Sequence, residues 1–138
     1  MMMVAACMVT VALNTAYRDA AISALGWVSA ASGVQFREAP DARIRVSDGT
    51  PPEGASGWAW PDGTIVLLPR DVPPLWPPQY FHRQQVRLIA HEILHVFGAV
   101  HSSDPASIMD PEVRGFPMRF SPADEAFMAG MPCVGVES

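Results

Sequence analysis

The chain contains no lysine and only two cysteines, Cys7 and Cys133, in 138 residues. Two cysteines are too few for a disulfide-dense scaffold or a cysteine-based zinc finger, so any metal site must be built from histidine or carboxylate. The pair can bridge the two ends of the chain or remain as two buried thiols, and composition leaves both open. With lysine absent, all nine basic residues are arginine, scattered from Arg18 to Arg119 without a cluster, against fourteen acids for a net charge of −5. Nothing resembles the basic stripe that grips a phosphate backbone, which argues against nucleic acid as a partner. No apolar run is long enough to span a bilayer. At 49% apolar and 17% charged residues, the chain is expected to fold as one soluble domain, residues 1–138, and as a monomer.

Charge is also missing from the start of the chain, where Met1 to Leu13 are apolar apart from Thr10. A secretory signal over residues 1–16 has such an apolar region, but here no basic residue precedes it and no small-x-small cleavage site follows. Val4, Val9, Thr10 and Val11 equally make a buried strand. The compartment is left open by these two readings.

What is plentiful is proline: fourteen in all, eight of them between Pro51 and Pro78, so the middle of the chain is expected to be rich in loops. Around that middle, periodicity marks the regular elements. After Asn14 and Thr15, either of which can cap a helix, apolar residues recur at Tyr17, Ala20, Ala21, Ala24, Leu25, Val28 and Ala31, which predicts an amphipathic helix ending at Gly33. Val34 and Phe36, then Ile44 and Val46, alternate with polar residues as strands do. Trp58-Ala59-Trp60, the turn Pro61-Asp62-Gly63 and the run from Ile65 to Leu68 predict a hairpin. A second helix begins near Gln79 with Val86, Ile89, Ile93 and Val96 on its buried face, and Gly98 is placed to end it. Ser121-Pro122, followed by Asp124 and Glu125, has the capping pattern of a last helix that ends near Gly130 or Pro132.

Three of the four histidines fall in the stretch His91-Glu92-Ile93-Leu94-His95-Val96-Phe97-Gly98-Ala99-Val100-His101. Residues four apart lie one turn above each other on a helix, so His91 and His95 can offer nitrogens to one ion. A helix continued through His101 would carry it roughly 9 Å further along the axis, at a rise of about 1.5 Å per residue. Gly98 can adopt the left-handed conformation that turns the chain back and makes His101 the third ligand. Three neutral imidazoles leave a fourth zinc position for water, the arrangement of a catalytic ion. Glu92, beside the ligands without being one, is the expected general base that takes the water's proton and returns it to a leaving amine.

This pattern resembles the metzincin zinc metalloproteases. Ser107-Ile108-Met109-Asp110 is similar to their methionine turn, with Met109 in the turn position. The stretch from His101 through Ser102 to Met109 looks like the matrixins within that clan. Trp27 to Phe36 with Ala42-Arg43-Ile44-Arg45-Val46, and Phe120-Ser121-Pro122-Ala123-Asp124, are similar to that family's first helix, second strand and last helix.

The resemblance implies an α+β, metzincin-like fold: a small mixed, mostly parallel sheet packed on two helices, the first helix and the zinc-ligand helix, plus a C-terminal helix. It implies an N-terminal subdomain of about 1–98 and a C-terminal subdomain of about 99–138. It also implies that the strand around Ala55, Ser56, Gly57 and Trp58 is an edge that pairs with an extended peptide or protein substrate. The loop from Pro111 to Phe120 would then wall a side-chain pocket. Trp58 and Trp60 read equally well as core aromatics.

Several of the family's features are missing. Tyr17 and Tyr80 are the only tyrosines, so no tyrosine follows the motif to assist the zinc. No histidine lies between Asp41 and Tyr80 to hold a second zinc, so one catalytic ion is expected. Ala5-Ala6-Cys7-Met8 does not match the family's latency motif. Asp48, Glu53, Asp62 and Asp71 are scattered loop acids, and no calcium is assigned to them. The expected activity is zinc endopeptidase. Two alternatives share the ligand spacing: a non-catalytic zinc-binding module, and a three-histidine zinc endoribonuclease, against which Glu92 and the acidic charge both argue.

Overall fold

In the computed structural model, which describes residues 7–111 and 119–131, the chain runs β1 (Met8–Asn14), α1 (Arg18–Ser32), β2 (Gln35–Glu38), β3 (Ile44–Asp48), β4 (Gly57–Ala59), β5 (Thr64–Leu67), α2 (Pro78–Val96) and α3 (Pro122–Ala129). The strands form one sheet in the order β2-β1-β3-β5-β4. β1 pairs in parallel with β2 and β3, β3 in parallel with β5, and only β4 runs antiparallel, at the edge. Residues 8–14 are thus an internal strand, the second of the two readings of the apolar start; Val4 lies outside the described residues.

Register follows from which side chains avoid water. Val11 opposes Ile44, Leu13 opposes Val46, and Val46 opposes Ile65, so Val9, Val11, Ile44, Val46, Ile65 and Leu67 share one face and are all buried. A slip by one residue would turn this entire set toward solvent, which pins the pairing. Onto that face pack α1, through Ala20, Ala21, Ala24, Leu25 and Val28, and α2, through Val86, Ile89, Ile93 and Val96. The alanines of α1 let the two helices lie against each other. Trp27 then stacks on Phe120 at a ring separation of 4.0 Å, fastening α1 to the segment that leads into α3.

Both capping expectations are decided by hydrogen bonds. Neither Asn14 nor Thr15 caps α1, whose N-cap is Tyr17 with no side-chain bond. Thr15 instead accepts from the Tyr17 N–H and donates its hydroxyl to Asp48 at the end of β3, a local turn competing successfully with a cap. At α3 the expected cap is complete: Ser121 Oγ accepts from the Asp124 N–H, and the Asp124 carboxylate accepts from the Ser121 N–H. The proline-rich stretch before α2 is irregular, as its composition requires, and is tied to α1 by the Tyr17 hydroxyl, which donates to the Arg70 carbonyl at 3.0 Å. Cys7 is disulfide-bonded; Cys133, the chain's only other cysteine, lies outside the described residues. Among the described residues no helix is long and apolar enough to cross a membrane.

Candidate metal centre

The site is assembled by the last two turns of α2 and the reversal that follows. His91 and His95 project from the same side of the helix with their Nε2 atoms 3.1 Å apart. α2 stops at Val96 because Gly98 takes φ +102°, a conformation with little steric penalty only for glycine. The Gly98 N–H bonds the His95 carbonyl and the Ala99 N–H bonds the Leu94 carbonyl, the paired bonds of a Schellman motif. The chain doubles back and brings the His101 ring to 4.8 Å from that of His95 and 5.3 Å from that of His91. One nitrogen from each of the three lies within 4.8 Å of the others, and this is the sole group of its kind among the described residues.

Hydrogen bonds determine which nitrogens are free. His91 Nδ1 is 2.8 Å from the Ile108 carbonyl and His95 Nδ1 is 2.8 Å from the Ala99 carbonyl. A carbonyl oxygen only accepts, so both Nδ1 atoms carry the proton and both Nε2 atoms present a lone pair. Burial pushes the His91 pKa down to about 4 and lowers that of His95, so both rings are neutral near pH 7. Two lone pairs facing at 3.1 Å repel unless a cation lies between them. A tetrahedral ion with bonds of about 2.0–2.1 Å to nitrogen would set its ligands roughly 3.3 Å apart. The donor set and the His91–His95 spacing therefore fit Zn2+, and the Ile108 and Ala99 carbonyls are the outer partners that orient such ligands.

Glu92 is 4% exposed, and burial pushes its carboxyl up to about 7. It lies against Gly57 of β4, where a Cβ would stand 3.0 Å from Glu92 Oε2 and 3.3 Å from Leu88 Cδ1. Glycine here makes room for the carboxylate. The three histidines, Glu92, Ala55, Ser56, Gly57 and Trp58 all border one cleft of about 560 Å³. Trp58 and Trp60 are only half-buried, so neither is a core aromatic: β4 is a three-residue edge strand, and Trp58 borders the cleft. Pro111 also borders it; residues 112–118 of the expected pocket wall lie outside the described residues. Gly57→Ala is expected to push the Glu92 carboxylate and Leu88 aside and to lower stability by about 1–3 kcal/mol, the usual cost of overpacking. A melting curve checks this, and an equally stable variant would show that Glu92 has room to spare.

Met109 is buried in the hydrophobic core, in a tight turn over Ser107–Asp110. Two residues of this region carry no metal-ligand signal in the sequence yet converge on it. Arg87, one turn before His91 and 3% exposed, donates from Nη2 to the Ser107 and Asp110 carbonyls at 3.3 Å each. Asp124 of α3 reaches the same turn, accepting from Ser107 Oγ at 2.6 Å and from the Ile108 N–H at 2.9 Å. For Arg87, the one hint in the sequence is an arginine on the buried face of α2. Of the scattered acids, Asp48 ends β3 rather than lying in a loop and accepts from Thr15 and the Ala16 N–H, and Asp62 accepts from the Thr64 N–H.

No protein-family model and no curated protein sequence matches the chain. Solved structures do. Archaemetzincin from Methanopyrus kandleri aligns with a TM-score of 0.70 at 13% identity, over 92% of this chain and 97% of its own. Myroilysin aligns at 0.65 and 16%, over 91% and 80%. A zinc-dependent peptidase from Methanocorpusculum labreanum aligns at 0.60 and 14%, over 86% and 99%. At such low identity the likeness is one of fold, and it extends over nearly the full length of the chain.

Proposed function

We propose that the chain is a zinc endopeptidase whose metal is held by His91, His95 and His101 and whose general base is Glu92. One observation carries the reading: two imidazoles with their Nδ1 protons committed to carbonyls turn their Nε2 lone pairs toward each other in a cleft that also holds a buried carboxylate. Zinc in that position supplies a Lewis acid that polarises a carbonyl and acidifies water. Glu92 accepts the proton of the attacking water and delivers it to the leaving amine, so that the peptide C–N bond is exchanged for a carboxylic acid and an amine. β4 pairs with β5 along one side only, and we assign its other edge, with Ala55, Ser56, Gly57 and Trp58, to an extended peptide. Met109 we assign to the methionine turn. The segment from His101 to Met109 supports a place near the matrixins within the metzincin-like fold. We further read the chain as one catalytic domain, with subdomains of about 1–98 and 99–138 meeting at Gly98.

The test is cleavage of casein by zinc-loaded protein, before and after chelation and after zinc is restored. We expect one zinc per chain and activity that disappears and returns with the metal. A folded, zinc-bound protein that cleaves nothing would point instead to a non-catalytic zinc module; absence of zinc would defeat both.

A further inference from the structure

The turn at residues 107–110 is the meeting point of the ligands and the C-terminal helix. Within it the Ile108 carbonyl accepts from His91 Nδ1 at 2.8 Å, and the Met109 carbonyl accepts from the N–H of Ser102, the residue after His101, at 3.0 Å. One histidine ring and the backbone just past another are therefore held by consecutive carbonyls of one short turn. That turn has no regular structure of its own, so its carbonyls point correctly only if its remaining polar groups are held.

They are held from two sides. From α2, Arg87 takes the Ser107 and Asp110 carbonyls. From α3, Asp124 accepts from Ser107 Oγ with one oxygen, and from the Ile108 N–H and the Ser121 N–H with the other. Ser107 Oγ in turn accepts from the Met109 N–H at 3.0 Å, and the Asp110 N–H bonds the Ser107 carbonyl at 3.2 Å. Every backbone N–H and carbonyl from 108 to 110 thus has a partner, and Asp124 secures the two N–H groups at its centre, one directly and one through Ser107. The carboxylate is 4% exposed and Ser107 is 1% exposed, so water does not compete for these bonds.

We infer that Asp124 is a positioning residue for the metal site: through the 107–110 turn it sets the orientation of His91 and of the loop that carries His101. The capping of α3 is then only part of its work. This rests on the zinc reading above, and makes α3, which contributes no ligand, a determinant of metal affinity.

The experiment measures zinc affinity by competition with a chromophoric chelator, and the visible spectrum of the cobalt-substituted protein, on the full chain. Asp124→Ala frees the turn whose Ile108 carbonyl is the outer partner of His91 and is expected to bind zinc about tenfold more weakly, toward the low end of the range for losing such a partner outright, with a shifted cobalt spectrum. Asp124→Asn keeps one carbonyl oxygen for the two N–H groups and an amide for Ser107, and is expected to stay within about threefold of wild type, as conservative rescue. Val9→Ala, a core truncation in β1, is expected to lower the melting temperature while leaving affinity and spectrum unchanged. Wild-type affinity in Asp124→Ala, or an equal loss in Val9→Ala, overturns the inference. Should Asp124→Ala fail to fold, Ser107→Ala decides: weaker zinc with an altered cobalt spectrum supports the inference, and unchanged binding overturns it. A wild-type chain that binds no zinc removes the metal reading itself, whereas zinc binding indifferent to Asp124 removes only this one.

Discussion

Glu92→Gln is expected to lower kcat/KM for casein cleavage by about 10²–10⁴-fold, the range supplied by a positioned general base, with zinc content unchanged. Glu92 follows His91 directly, so the helix sets it beside the ligands, and it borders the same cleft. It makes no hydrogen bond among the described residues, and its carboxylate rests against Gly57, where the absence of a side chain leaves space for it. Neither feature contributes to stability: a buried carboxylate without a partner destabilises the fold. Gln has nearly the same shape, fills the same space and loses only the oxygen that takes a proton. The fold and the three-histidine set should therefore survive while the proton transfer does not. The measurement compares zinc-loaded wild type and variant for cleavage rate, metal content and circular dichroism. A variant that is folded, carries zinc and cleaves at the wild-type rate would remove Glu92 from the mechanism.

The three-histidine cluster is legible in the sequence because each step that builds it is local. The four-residue spacing of His91 and His95 is a property of any helix, and the reversal at Gly98 is a property of one residue, so no distant contact is needed. The same holds for the alternation at Ile44 and Val46 and for the Ser121 cap. What is not legible depends on partners far along the chain. Thr15 looks like a helix cap until Asp48, thirty-three residues away, takes its hydroxyl. Asp124 looks like an acid placed for the helix dipole until the fold delivers the Ile108 N–H to it. Arg87 reads as an oddity on an apolar face until the Ser107 and Asp110 carbonyls arrive. The apolar start is ambiguous for a different reason: a signal segment and a buried strand share a composition, and only pairing with β2 and β3 separates them. Local chemistry brings the three histidines together, and tertiary convergence decides which residues pack around them.

Gly63→Ala is expected to destabilise the protein by about 3 kcal/mol or more, combining a left-handed backbone with a steric clash. Gly63 has φ +96°, and a Cβ there would fall 2.0 Å from the Arg43 carbonyl oxygen and 3.1 Å from its carbon. Backbone cannot give way as a flexible side chain does. Around it, the Gly63 carbonyl accepts from the Arg45 N–H at 2.9 Å, its N–H reaches the Trp60 carbonyl at 3.0 Å, and Arg43 Nη1 donates to the Asp62 carbonyl at 2.7 Å. Widening the turn would break bonds that join β3 to the hairpin. Gly33 separates the two contributions: it has φ +80°, and a Cβ at that position would meet nothing within 4 Å, so Gly33→Ala should show the conformational penalty alone, about 1 kcal/mol. Chemical denaturation of both variants makes the comparison, and equal losses would mean that the Arg43 contact relaxes freely. The consequence reaches the site, because this turn fixes β4, and β4 carries Gly57 against Glu92. A Gly63→Ala chain that still folds should therefore, on the proposed mechanism, lose turnover beyond what its unfolded fraction explains, since the wall that confines the Glu92 carboxylate has shifted.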